Sequence, residues 1–309
     1  MNRATVDFDG PISVIEYGGT GPLMVCVHGL EGSAYNWRLI APELTKTHTV
    51  VAPDLRGFGY TEPGENPVSV EHNAEVVAAV IKAYGGSAVL MGNSMGGLVS
   101  ILVAGEYPNL VSDIILIDPA GPVASWSHVD PSAAVTLATP LIPWLGTRII
   151  DAYRATRTAE EAVHESYRFV AADPTVVSEE ALSDALEIAE LRRTQAWSAS
   201  VLAKASASIA PYVLRKKKFL RALHRVSQPT LLVHGLKDGV IQVQTAKWIA
   251  DQRPDWTVVY LKDLGHVAMI EAPDTFVAVI YTWLHAVEEP ARSGVGSHKS
   301  EVTSQRSEI

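Results

Sequence analysis

Two kinds of hydrophobic pattern alternate along the chain. Residues 23–27, 88–91, 114–117 and 231–233 are continuously apolar, as expected of strands buried on both faces. Residues 49–52 and 256–261 read as two more strands. Residues 5–8 and 12–17 alternate only partly and are separated by Gly10-Pro11, which predicts two antiparallel edge strands. Between the strands the period becomes helical. Val76, Val77, Val80, Ile81 and Tyr84 recur at helical spacing within 70–84, and 36–44 and 244–252 read as shorter helices. A last helix over 275–287 gathers Phe276, Val279, Ile280, Trp283 and Leu284 on one face. Strand and helix in alternation predict an α/β architecture: a mostly parallel, eight-stranded sheet with helices on both faces.

The alternation is interrupted once. From 123 to 225 no buried strand is legible, but 159–171 and 179–205 are helical in pattern, with Pro140, Pro143, Pro174 and Pro211 as breakers. This block reads as a helical cap inserted into a core made of 1–122 and 226–288. The tail, 289–309, is rich in Ser, Glu, Lys and Arg, has nothing to bury and is expected to be disordered.

Composition narrows the class. With 47% hydrophobic and 19% charged residues in 309, the chain has material for a large core. A net charge of -9 argues against a nucleic-acid partner, which needs a basic excess. The short basic run Arg215-Lys216-Lys217-Lys218 reads as a solvated helix face. One cysteine, Cys26, allows no intrachain disulfide, and its apolar neighbours make it a core thiol. No apolar leader and no stretch long enough to span a membrane is present, so the expected location is cytoplasmic.

Chemistry concentrates where strands end. Gly92-Asn93-Ser94-Met95-Gly96 follows an apolar strand and precedes a helix, the setting of a nucleophile elbow, in which flanking glycines permit a sharp turn that lifts the serine oxygen out of the sheet. The helix start behind Ser94 leaves N–H groups unpaired, so Met95 is one candidate oxyanion donor. Leu30, after the flexible Gly29 at the end of strand 23–27, is the other. His28 and His234, each beside a glycine at a strand end, read as structural, and Asp54 as the organiser of its own loop. Asp238 and His266 also lie just past strand ends, where open α/β sheets place ligands.

With Ser94, Asp238 and His266 in that order, the chain resembles the α/β-hydrolase family. The resemblance runs from about residue 5 to 287, through His28-Gly29, Asp54-Leu55-Arg56-Gly57, the elbow, His234-Gly235-Leu236-Lys237-Asp238 and Gly265-His266. It implies a nucleophile Ser94, a general base His266 and an orienting acid Asp238, with Asp118 as rival for the last role. It calls for no cofactor and no metal ion. Relatives that open epoxides or displace halide carry aspartate at the elbow, so Ser94 favours acyl chemistry. A carboxylic-ester hydrolase on a small-molecule substrate is the first expectation. The elbow is also similar to that of hydrolases cleaving C–C bonds in vinylogous diketones, although those have tryptophan where this chain has Val267. Arg192 and Arg193 are candidates for a substrate carboxylate. Trp126, Trp144 and Trp197, with the apolar residues around them, suggest an apolar pocket. A non-enzymatic ligand receptor on the same fold is the remaining alternative.

Overall fold

A computed structural model describes residues 1–123, 143–292 and 306–309. Its strands are β1 (Asn2–Asp7), β2 (Pro11–Gly18), β3 (Leu23–Val27), β4 (Thr49–Pro53), β5 (Ala88–Asn93), β6 (Val111–Ile117), β7 (Thr230–Gly235), β8 (Thr257–Leu261) and β9 (Arg306–Glu308). They form one sheet in the order β1-β2-β4-β3-β5-β6-β7-β8-β9. The first two pairings, β1 with β2 and β2 with β4, are antiparallel, and every later one is parallel.

Alternate residues of the central strands face opposite sides. Val25, Leu90, Ile114 and Leu116 join one apolar cluster, whereas Met24, Cys26, Met91, Ile115 and Ile117 join the other. Both clusters are covered by helices, which explains why these strands carry no polar face. On one side lie α2 (Val70–Ala83) and α3 (Met95–Glu106), contributing Val77, Val80, Leu98 and Ile101. On the other, Phe276, Ile280 and Trp283 come from α11 (Pro273–Arg292). The short α1 (Ala41–Leu44), α9 (Val243–Gln252) and α10 (Ala268–Glu271) complete the core helices.

The sheet has one strand more than the eight expected. The tail's sequence predicts no structure because it has nothing to bury, but an edge strand needs only main-chain partners. Ile309 N–H donates to Tyr260 O at 3.0 Å and Lys262 N–H to Ile309 O at 2.8 Å, so the backbone closes on β8 regardless of side chain. The last helix also runs on to Arg292, past the point where disorder was expected to begin.

Between β6 and β7 the described residues hold five α-helices and no strand: α4 (Pro143–Ala155), α5 (Ala159–Val170), α6 (Glu179–Thr194), α7 (Ser198–Leu214) and α8 (Lys216–Leu223). Local chemistry sets their starts. Thr158 and Glu161 form a reciprocal capping box at α5, and Ser178 caps α6 through Ala181 N–H. The stretch 179–205, continuous in pattern, is broken at Gln195, and Pro211 lies inside α7 rather than between helices. Val163, Tyr167 and Ala181 pack into the cluster that holds Val267 and Ala268, while Arg38 pairs with Glu180 at 2.8 Å and Asp184 at 2.6 Å. No described helix is long and apolar enough to cross a membrane.

Register decides where the chemistry gathers. Val27 pairs with Gly92, Asn93 with Ile117, Ile117 with Val233, and Gly235 with Leu261. The carboxyl ends of five parallel strands are therefore level, and the loops after them meet along one edge of the sheet.

Candidate active site

Strand β5 ends at Asn93 and α3 begins at Met95, so Ser94 makes the turn alone, with φ 55° and ψ -118°. A non-glycine residue held there stores about 1–3 kcal/mol of strain. Its backbone is fixed on both sides: its N–H donates to Ile117 O at 2.9 Å, and its carbonyl accepts from Ala120 at 2.9 Å and Leu98 at 3.2 Å. The flanking glycines do not have positive φ; they are needed for close approach. A Cβ on Gly92 would lie 2.3 Å from Gly96 O, and one on Gly96 would lie 2.1 Å from Val27 O. Ser94 is partly exposed while its neighbours from Met91 to Ser100 are buried.

Two further loops close on it. In the one after β3, a Cβ on Gly29 would stand 3.1 Å from Ser94 Cβ, so Leu30 enters directly beside the elbow. Met95, first residue of α3, has an N–H with no acceptor inside its helix. In the loop after β8, His266 Nδ1 lies 2.7 Å from Asp238 Oδ2. Asp238 Oδ1 accepts from Val240 N–H at 2.7 Å and Ile241 N–H at 2.9 Å, so both its oxygens are engaged. Burial alone would raise the Asp238 carboxyl, but the charge and hydrogen bond of His266, aided by His234, outweigh it and hold the carboxyl below its ordinary value. The bond to an ionised Asp238 places the His266 proton on Nδ1 and leaves Nε2 as the basic nitrogen.

A profile of the alpha/beta hydrolase fold matches residues 22–273, most of the chain. The chain belongs to the α/β-hydrolase fold family. The proteins it is similar to include hydrolases of more than one kind. Lipase 3 of Moraxella sp. (strain TA144) is 27% identical over 259 residues, covering 82% of this chain and 74% of that protein. The 2-hydroxymuconate semialdehyde hydrolase of Pseudomonas sp. (strain CF600) is 26% identical over 291 residues, 89% of this chain and 91% of that one. Among solved structures, a membrane phospholipase A described as a bacterial virulence factor superposes with a TM-score of 0.74 at 26% identity, over 93% of this chain and 87% of its own.

The other polar residues of this α/β-hydrolase edge are structural in their contacts. His28 Nε2 accepts from Leu55 N–H at 3.0 Å and Nδ1 meets Gly29 O at 2.7 Å, an arrangement for the neutral ring, whose pKa burial lowers. Asp54 accepts from Ala34 N–H at 2.7 Å and Tyr60 N–H at 3.0 Å, which folds its loop around it. Cys26 is fully buried, and burial pushes its thiol pKa up. Asp118, at the end of β6, does not touch His266 in any hydrogen bond; its Oδ1 accepts from Gly235 N–H at 2.9 Å.

Of the candidate pocket residues, Trp126 lies outside the described residues. Trp144 falls in the first turn of α4. Trp197 precedes α7 and packs against the core cluster on the α3 side, and Val267 is buried next to His266. Arg192 does not present its guanidinium to open space: it donates to the carbonyl of Glu31, whose carboxylate also takes Arg154 at 2.7 Å. Arg193 likewise donates to the Arg157 carbonyl at 2.9 Å. The two inserted-helix arginines Arg154 and Arg192 therefore grip the loop of Leu30, next to a Glu31 that itself has φ 57°.

Two residues of consequence had gone unread. Asn93 Nδ2 donates to His266 O at 3.0 Å and to Ile117 O at 3.3 Å, tying the His266 loop to the Ser94 turn. Glu271 is buried and accepts from Gly265 N–H at 3.0 Å and Ala172 N–H at 2.8 Å, ordering the same loop from the other side. The signal was present for both: a polar residue closing an apolar strand, and an acid after the apolar run 267–270.

Proposed function

We propose that the chain is a serine hydrolase of carboxylic esters. The observation that carries the reading is the 2.7 Å bond between His266 and Asp238 on the same sheet edge as Ser94 in its strained elbow. In this mechanism His266 Nε2 takes the Ser94 proton as Oγ attacks the ester carbonyl, and Asp238 stabilises the imidazolium that forms. The N–H groups of Leu30 and Met95 receive the oxyanion, each worth about 3 kcal/mol to the transition state in comparable sites. Collapse expels the alcohol with the proton from His266, and water, activated by the same ring, releases the acid from Ser94. The inserted helices act as a cap and supply an apolar pocket for the acyl or alcohol group. Similarity to Lipase 3 supports the ester reading.

Cleavage of a C–C bond in a vinylogous diketone is the second reading, supported by the likeness to 2-hydroxymuconate semialdehyde hydrolase. Against it, Arg192 and Arg193 each already donate to a main-chain carbonyl.

The test is initial-rate hydrolysis of a C2 to C12 chromogenic ester series beside a vinylogous 1,5-diketone acid, with wild type and Ser94→Ala. Serine-dependent ester turnover that outpaces diketone cleavage is expected. Faster diketone cleavage would replace the first reading by the second, and Ser94-independent turnover would defeat both.

A further inference from the structure

Behind the His266–Asp238 pair lies a second layer of titratable groups that the proposed mechanism leaves unused. A carboxylate oxygen of Asp118, a ring nitrogen of His234 and a carboxylate oxygen of Asp238 lie within 4.8 Å of one another. The Asp118 and His234 side chains are fully buried. The donors argue against an ion there: Asp238 already spends Oδ1 on two N–H groups and Oδ2 on His266, and His234 Nε2 meets Ile241 O at 3.0 Å.

What the cluster lacks is a proton. His234 Nε2, opposite a carbonyl, must carry its hydrogen, so in the neutral ring Nδ1 is a bare lone pair. That Nδ1 faces Asp118 Oδ1 across 3.1 Å, and a hydrogen bond forms there only if a proton lies between them. Asp118 Oδ2 is buried without any donor. An ionised Asp118 would therefore leave Oδ2 and Nδ1 both unsatisfied and set two carboxylates side by side. An uncharged Asp118 carboxyl removes the repulsion and gives its proton an acceptor in His234 Nδ1, 3.1 Å from Oδ1, or in the neighbouring Asp238 carboxylate.

We infer that Asp118 is a neutral carboxylic acid which, held by His234, backs Asp238 and so sets the pH at which His266 can act as base. It is a positioning residue, working through Asp238 without touching substrate, and the inference rests on the function proposed above. Burial and the neighbouring Asp238 charge both push the Asp118 carboxyl up, in keeping with this assignment, and burial lowers His234 to about 4. Glu271 is the other charged group that bears on Asp118. Without the acid behind it, Asp238 becomes a stronger base, the imidazolium is stabilised, and His266 loses its proton only at higher pH.

Two measurements on the whole chain test this. In the infrared difference spectrum of wild type minus Asp118→Asn at neutral pH, a protonated-carboxyl C=O band is expected. This readout needs no turnover; a spectrum with only ionised-carboxylate bands would overturn the inference whatever the enzyme does. In kcat/KM against pH on a chromogenic ester, Asp118→Ala should move the acid limb upward by about half a unit to one unit. At a pH well below that limb this is about a three- to tenfold loss relative to the plateau, and Asp118→Asn, which keeps a donor, should stay near wild type. If Asp118→Ala does not fold, Asp118→Leu, which fills the space without a proton, takes its place; a folded variant with an unmoved limb contradicts the role. Absence of ester turnover together with no fluorophosphonate labelling of Ser94 in wild type would instead indict the proposed function, leaving the infrared result to stand alone.

Discussion

Substituting Asp118 by Asn removes one buried proton, and the consequence for stability can be worked out with its sign. The folded Asp118 carboxyl titrates well above its ordinary value, so over that interval the folded chain holds a proton that the unfolded chain has released. Stability from this group is lost as pH rises. His234 moves the other way: its folded value of about 4 lies below the ordinary 6.5, so its contribution is present above 6.5 and lost as pH falls toward 4. Between those limits the two cancel, because unfolding merely transfers one proton from Asp118 to the imidazole. Above 6.5 the unfolded imidazole no longer keeps it, and for as long as the folded Asp118 holds its proton wild type should lose about 1.4 kcal/mol per pH unit that Asp118→Asn does not. For a chain of 309 residues that is roughly 2 °C in Tm per unit. The assay is thermal unfolding of both proteins at pH 6, 7 and 8, read as the Tm difference, which removes every other titrating group common to the two. A difference that stays constant from 6 to 8 would mean that Asp118 is ionised in the folded chain, and the reasoning fails.

Further outcomes follow from contacts described above. Ser94→Ala should reduce ester turnover at least about a thousandfold with an unchanged circular dichroism spectrum, and Asp238→Asn about ten-thousandfold, with Asp118→Asn losing far less; kcat for each variant ranks them. Asn93→Ala removes the tie to the His266 loop and the bond to the end of β6, and should cost about 1–3 kcal/mol in urea unfolding, with a fall in kcat that exceeds any change in KM. Gly96→Ala drives a Cβ against the Val27 carbonyl, backbone that cannot swing away, and should yield insoluble or unfolded protein in a solubility and circular dichroism screen. Cys26 should resist a thiol reagent in the native state and react in denaturant, since it is buried and its pKa is raised.

The parts of the molecule that were legible from sequence share one property: the signal was carried by side chains. Strands β3, β5, β6 and β7 are buried on both faces and were read as apolar runs, and the elbow was read because its glycines are required by contact. Strand β9 was not, because main-chain hydrogen bonds to β8 carry no residue preference. The order of Ser94, Asp238 and His266 located the candidate site and the family resemblance put Asp238 ahead of Asp118, but the 2.7 Å contact of Asp238 with His266 is one that no spacing encodes. Arg192 shows the converse. Its place on an inserted helix was foreseen, whereas its partner, a carbonyl 161 residues away in sequence, depends on how the helices sit over the β3 loop.

The anchoring of His266 constrains how this molecule can move. Its N–H donates to Val170 O at 2.8 Å, and Glu271 holds Ala172 N–H at 2.8 Å, so the end of α5 is bolted to the loop that bears the base. If the inserted helices move, residues 170–172 form a fixed post beside the His266 loop, as a hinge post fixes a door, and a motion that displaced this post would displace His266 with it. The amides of His266 and Ala172 belong to this fixed post and should exchange with solvent on the timescale of global opening, slower than the amides in the exposed turns of the inserted helices.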